Sequence, residues 1–163
     1  MKGIVRPNSE TEFEKRRGIS RIEVRHGFAQ VHISQIGGDV MSGRLYVLQA
    51  VADAGFSIDF LKLSPSGMSF LVPESEAENI QAAIAPTGAH HTIRKGRSIL
   101  LVHAVNIRDE EGMIASLVQT LIGTGAPVDH LGDMHDRMLV VLRTEDIDRV
   151  TDQFQNQLTE AAA

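Results

Sequence analysis

Cysteine and tryptophan are absent from the 163-residue sequence, and tyrosine occurs once. Without cysteine there is no disulfide framework, no thiolate nucleophile and no Cys-type zinc site, a usage that fits a reducing compartment. With aromatics at 4% the core must be aliphatic, and flat surfaces on which bases or sugars could stack are scarce. Positive charge is short as well. Lys and Arg number 16 against 21 Asp and Glu, a formal net charge of -5, and Lys15-Arg16-Arg17 is the one dense basic cluster. A protein that tracks a nucleic-acid backbone needs a basic stripe, so no nucleic-acid partner is expected. Long hydrophobic runs are missing too. Met1 to Pro7 holds no apolar leader, and no run approaches the roughly 20 residues that span a bilayer. The expectation is a soluble cytoplasmic protein with no membrane partner.

What is present is ordinary globular material, 42% hydrophobic and 23% charged, enough for one domain or two small ones. Residues 1–18 read as a polar lead-in with a turn at Pro7-Asn8-Ser9. Ile19, Ile22 and Val24 lie in a short strand-like run, and His26-Gly27 reads as a hairpin turn or a strand corner leading into a second run from Phe28 to Gln35, where Ala29, Val31 and Ile33 alternate with polar neighbours. A turn-rich loop, Gly37 to Arg44, then opens a helix. Asp39 and Ser42 are its candidate caps, Leu45, Val47, Leu48 and Val51 recur at helical spacing, and Gly55 stops it. Strands follow from Ile58 to Ser64 and from Met68 to Val72. A second helix carrying Ala77, Ile80, Ala83 and Ile84 starts at Pro73-Glu74-Ser75-Glu76, and an edge strand, Ala89 to Arg94, ends in a turn at Lys95-Gly96.

The same order then returns. A gapless shift of 70 positions places Asp39 on Asp109, Gly55 on Gly125, Asp59 on Asp129, Leu61 on Leu131 and Met68 on Met138. Val31 falls on Leu101, Val47 on Leu117, Val51 on Leu121 and Ile80 on Val150, which keeps one hydrophobic face on each expected element. The second copy ends after its last helix, one strand short. A sheet with an open edge is stabilised by adopting a strand, so residues 19–25 are expected to complete it. The expected organisation is a first unit over 26–95 and a second over 96–163 with strand 19–25 added, the two interleaved.

A duplicated βαββαβ unit with a loop at the first strand-to-helix turn resembles the ACT domain, and more closely the tandem ACT region of aspartokinases. Ala50 to Leu61 is similar to that family's helix end followed by its "Gly-Ile-Asn-Ile/Val-Asp" strand, Met68 to Pro73 to its third strand, and Ile19 to Ile33 to its lead-in hairpin. The resemblance implies an α+β fold of two ferredoxin-like units, antiparallel sheets with helices on one face. It also implies an amino-acid effector such as lysine or threonine bound between ACT domains and no cofactor, with a kinase catalytic subunit as one candidate partner; the open sheet edges and one-sided helices of such units lead to the expectation of a homodimer. No kinase catalytic domain fits in this length. By resemblance the effector loop falls on Asp39, Val40, Met41, Ser42, Gly43 and Arg44, and the strand Asn on Ser57. Backbone N–H groups near Ser42 to Arg44 would take the effector carboxylate, Asp39 its ammonium or a side-chain donor, and Ser57 a second hydrogen bond. The family's Asp-x-Pro-Gly is here Asp39-Val40-Met41-Ser42, without Pro or Gly, and its Asn is serine. In the second copy Asp109-Glu110-Glu111 would repel a carboxylate and Pro127 replaces the Asn, so that copy is read as structural.

Other readings stay open from the residues alone. The loop is also an ordinary capped helix start, with Arg44 a solvated charge. The alternatives in function are a sensor of another small molecule without a kinase partner, an ACT-pair assembly module, and a metal-dependent enzyme on Asp129-His130-Leu131-Gly132-Asp133-Met134-His135-Asp136. That last spacing matches no dedicated metal motif, and His90-His91 and His103 read as edge-strand or satisfied histidines. Gly37-Gly38 lacks the Gly-Lys-Ser/Thr ending of a phosphate loop, and no nucleophile elbow or zincin motif occurs.

Overall fold

The computed structural model describes residues 18–105, 107 and 109–162. The lead-in expected over 1–18 therefore lies outside the described residues, Gly18 excepted. Among those residues six strands and four helices follow one another: β1 (Ile19–Ser34), α1 (Val40–Asp53), β2 (Asp59–Ser64), β3 (Gly67–Pro73), α2 (Ala77–Ile84), β4 (His90–Ala104), α3 (Met113–Gly123), β5 (Val128–Asp133), β6 (Arg137–Arg143) and α4 (Ile147–Ala162). The molecule is α+β, with antiparallel strand pairs and helices.

The 70-residue period reappears in the geometry. Strands β3 and β6 stand 70 positions apart, as do the 3-10 turns Glu74–Glu76 and Thr144–Asp146 that lead into α2 and α4. Residues 41–50 and 111–120 run through the same succession of buried, half-buried and exposed positions.

Two expected turns are absent. The chain does not turn at His26-Gly27: β1 runs unbroken from Ile19 to Ser34. Nor does it turn at Lys95-Gly96, because the strand expected to end at Arg94 continues as β4 to Ala104. Both glycines hold positive φ, +86 at Gly27 and +66 at Gly96, inside a continuous strand. That backbone conformation is available to glycine at little cost and is used at bulges as well as at turns.

The chain divides into two compact units. Among the described residues the nested unit takes Arg25–Ile99 and Val141–Glu145, and the enclosing unit takes those up to Val24, those within Leu100–Val140 and those from Asp146 on. Strands β1 and β4 each pass from one unit into the other. In the nested unit Phe28 to Ile33 of β1 pairs antiparallel with Met68 to Pro73 of β3, and β3 pairs with β2, which is the end strand. Alternate residues of both inner strands, Ala29, Val31 and Ile33 with Met68, Phe70 and Val72, point to one face. There they meet Val47 and Val51 of α1 and Ala77, Ile80 and Ile84 of α2 in one buried aliphatic cluster. In the enclosing unit Leu117 and Leu121 of α3, Ile147, Val150 and Phe154 of α4, and Met138 and Val140 of β6 are buried. Among the described residues no helix is long and apolar enough to cross a membrane.

Candidate functional site

The segment Gly37 to Arg44 is not all loop. Helix α1 begins at Val40, so Val40 to Arg44 form its first turn and only the residues up to Asp39 precede it. The spacing of Leu45 to Val51 located the helix but not its start, since Val, Met and Ser carry no strong start signal beyond the cap before them.

Asp39 is the N-cap, with extended backbone at φ -76 and ψ 101. Its carboxylate accepts from the Met41 N–H at 3.2 Å and from the Ser42 hydroxyl at 2.5 Å, while its carbonyl accepts from the Gly43 N–H at 3.1 Å. The Ser42 hydroxyl is the main cause that holds the Asp39 carboxyl below the usual carboxylate range; desolvation opposes it, and the Met41 and Ser42 N–H groups add smaller downward contributions. The donors that a helix N-terminus offers to a ligand carboxylate are thus largely occupied by the protein's own. The Gly43 N–H, expected to face an effector, is already a helical bond.

Arg44 is neither solvated nor open. Its Nε donates to the Gly67 carbonyl at 3.1 Å, one terminal nitrogen donates to the Ser64 carbonyl, and the other lies 3.4 Å from Met41 Sδ. The guanidinium ties the first turn of α1 to the β2–β3 turn. Gly43 packs closely: a Cβ there would sit 2.5 Å from Ile36 Cγ2. Met41 is exposed, Ser42 also, and Val40 half-buried.

Ser57 lies apart from all of these. It is exposed and follows the C-terminal end of α1, where Gly55 at φ +82 turns the chain toward β2. Fourteen helical residues separate the two ends, about 21 Å at 1.5 Å per residue. One chain brings Asp39, Ser42, Gly43 and Arg44 together and leaves Ser57 at the other end of the helix.

The histidine- and aspartate-rich stretch 129–136 forms β5 and the turn into β6. Asp136 takes Arg137 in a two-pronged ion pair, 2.8 Å to Nε and 3.1 Å to Nη2, which holds its carboxyl below the usual range. Among the described residues no three His, Asp or Glu side chains gather as metal ligands would. His103 is buried, its Nε2 3.2 Å from Arg21 Nη2 and 3.5 Å from Glu23 Oε2. Sequence reading missed this cluster because His103 lies 80 or more positions from Arg21 and Glu23, and no local signal announces a partner at that separation.

The sequence matches no protein-family model and no curated protein. Solved structures do match. The ligand-free regulatory subunit of aspartate kinase from Thermus thermophilus aligns at 19% identity over 86% of this chain and 97% of that one, with a TM-score of 0.77. Aspartate kinase from Clostridium acetobutylicum aligns at 11% identity over 85% of this chain and 34% of that one, TM-score 0.75. Escherichia coli aspartokinase III in complex with lysine and aspartate aligns at 8% identity over 89% and 34%, TM-score 0.68. The fold is that of the ACT-type regulatory regions of aspartate kinases, spanning nearly the full length of the Thermus subunit.

Proposed function

We propose that the chain is a regulatory protein of the ACT-pair type that senses an amino acid, lysine or threonine first among the candidates, for feedback control of an aspartate kinase. The observation that carries this reading is the match over 86% of this chain and 97% of an aspartate kinase regulatory subunit. A kinase catalytic chain is then the partner, the location is cytoplasmic, and the chain is not itself the enzyme. In domain terms, 26–95 is the first ACT unit and 96–163 the second, completed by strand 19–25. The breaks at Val24/Arg25 and Ile99/Leu100 lie close to these bounds, while Val141–Glu145 falls with the nested unit and departs from them.

The separation of Asp39 and Ser57 fits a homodimer. Strand β2 ends the nested unit's sheet with Leu61 and Leu63 exposed, and α1 exposes Met41, Leu45 and Tyr46. Two chains meeting on these elements about a two-fold axis perpendicular to α1 run their α1 helices antiparallel, which sets the Asp39 end of one helix beside the Ser57 end of the other. The effector then lies between chains and shifts the balance between assembled states. Asp39, Val40, Met41, Ser42, Gly43 and Arg44 of one chain and Ser57 of its partner form the site.

One feature favours a second reading, an assembly module with no effector: Asp39 already caps the helix and Arg44 is engaged by backbone carbonyls. Thermal unfolding against a panel of amino acids, repeated with Asp39→Ala, decides between the two. A ligand at 100 times its dissociation constant adds about 2.7 kcal/mol. A midpoint shift for one amino acid that vanishes in the variant supports the sensor; no shift for any leaves the assembly module.

A further inference from the structure

We propose that Phe60 is a positioning residue for the effector site: the bulge it forms in β2 sets which face of the chain presents Ser57. The pairing of β2 with β3 has one irregularity. Lys62, Leu63 and Ser64 stand opposite Ser69, Met68 and Gly67, and Asp59 stands opposite Leu71, so Phe60 and Leu61 together face the single residue Phe70. Phe60 takes φ +50 there. An extra residue whose first position is left-handed makes a β-bulge, and glycine is the residue that takes that position at little cost. A phenylalanine held in that conformation is strained.

The bulge decides the alternation of the chain on its N-terminal side. Residues directly opposite in an antiparallel pair share a face, and a shift of one residue turns every side chain to the other face. With the bulge, Asp59 shares the face of Leu71, Ile58 packs against the buried cluster of the nested unit, and Ser57 is exposed. In ordinary strand geometry the register of Lys62 to Ser64 would run on unbroken, with Phe60 opposite Leu71 and Asp59 opposite Val72, a member of that buried cluster. Ser57 and Asp59 would then turn to the apolar side and Ile58 away from it. The left-handed turn at Phe60 thus separates a chain that offers Ser57 to a ligand from one that turns it inward.

The repeat supplies a natural comparison. His130, the mate of Phe60, is not among the described residues with positive φ, and Val128, the mate of Ile58, is 37% exposed. In the enclosing unit the apolar residue therefore faces out, and Pro127 holds the place of Ser57. The left-handed residue and the outward serine occur together in the nested unit and are both missing from the other. The role given to Ser57 rests on the amino-acid reading above; the control of its face by Phe60 is read from the pairing alone.

The chain has no cysteine, so a single introduced thiol reports on its own position. In the full chain, Ser57→Cys should react with a thiol reagent about fivefold or more faster than Ile58→Cys. Phe60→Gly, which suits the backbone there, should keep that order. Phe60→Val should reverse it, because a β-branched residue is excluded from the left-handed region. Deletion of Phe60 should keep the parent order: with the extra residue gone, Asp59 still meets Leu71 and Leu61 meets Phe70, so both sides hold their register. Loss of the phenyl ring as packing would act alike in the substitution and the deletion, whereas the bulge makes their effects opposite. Unfolding makes both positions fast and does not mimic a reversal; if Phe60→Val behaves so, the deletion decides, the parent order supporting the proposal and a reversed order overturning it. The proposal is also overturned by an unchanged order in Phe60→Val, or by position 58 reacting as fast as position 57 in the parent. Labelling needs no ligand, so it passes or fails whatever the amino-acid panel gives. An effector found by that panel should bind at least tenfold more weakly to Phe60→Val and as before to Phe60→Gly; equal affinity in Phe60→Val would overturn the positioning role while leaving the sensor intact.

Discussion

Helices α1 and α3 occupy the same place in a 70-residue repeat and begin in different ways. At α1 the cap is Asp39, a side chain bound to the Met41 N–H and the Ser42 hydroxyl. Its repeat mate Asp109 is conserved in identity and not in role, because α3 starts three positions later, after Gly112 at φ +77, with no side-chain cap. Three acids and a left-handed glycine replace a capped turn. Arg44, which clamps α1 to the β2–β3 turn, has Ile114 as its mate, and Gly67, whose carbonyl receives that clamp, has Arg137. One start is a cross-linked polar construction and the other has no side-chain cap.

The contrast can be broken at several points. The largest effect is expected in the shared cores: Ile80→Ala should cost about 3–4 kcal/mol and its mate Val150→Ala about 1 kcal/mol less, in keeping with one fewer methylene, by urea denaturation. Next comes Gly67→Ala. A Cβ there would lie 2.1 Å from the Ile33 carbonyl oxygen, backbone that cannot yield, so about 3 kcal/mol should be lost, while Arg137→Ala at the mate position should leave the urea midpoint nearly unchanged. Gly43→Ala gains helix propensity but meets Ile36 Cγ2 at 2.5 Å; a net loss of about 1 kcal/mol is expected, and combined with Ile36→Ala, which removes that methyl, the pair should cost less than the sum of the two single changes. Asp39→Ala should lower the thermal midpoint where Asp109→Ala does not.

The smallest effect is in pH. Asp39 titrates lower in the folded chain than its ordinary 3.8, chiefly because the Ser42 hydroxyl bonds the carboxylate. The unfolded chain therefore binds the proton more readily, and the stabilisation is complete above the ordinary value and is lost as pH falls through the depressed one. Glu78 beside Lys95 and Asp136 beside Arg137 shift the same way. Asp39→Asn should lose less stability than the parent between pH 5 and 2; equal acid sensitivity would mean the cap carries no ionic component.

Several parts of this comparison were readable from the residues. Gly55 and Gly125 coincide in the repeat and hold φ of +82 and +72 after their helices, and Met68 and Met138 are both fully buried, because chain reversal and core volume tolerate few substitutes. Gly27 and Gly96 misled, since positive φ serves a hairpin turn and a bulged strand alike and the neighbours that decide between them lie some 70 residues away. The site was legible only as far as its local chemistry. Asp39 as cap follows from the residues beside it, whereas Arg44 reaching Ser64 and Gly67, and Ser57 lying at the wrong end of the helix, depend on how strands return.

Nesting also imposes a timetable on synthesis. Residues 18–24 leave the ribosome before any other described part of their unit, and the next part, from Leu100, follows only after Arg25 to Ile99 has been made. At about 5–20 residues per second the delay is roughly 4–15 s. Throughout it the first stretch of β1 is a strand without its neighbours while the rest of the same strand can already join the nested unit. A ribosome-bound chain of this protein is thus, for some seconds, half a finished fold holding out a ready edge, the interval in which a chaperone or a second nascent copy has its best opportunity to bind.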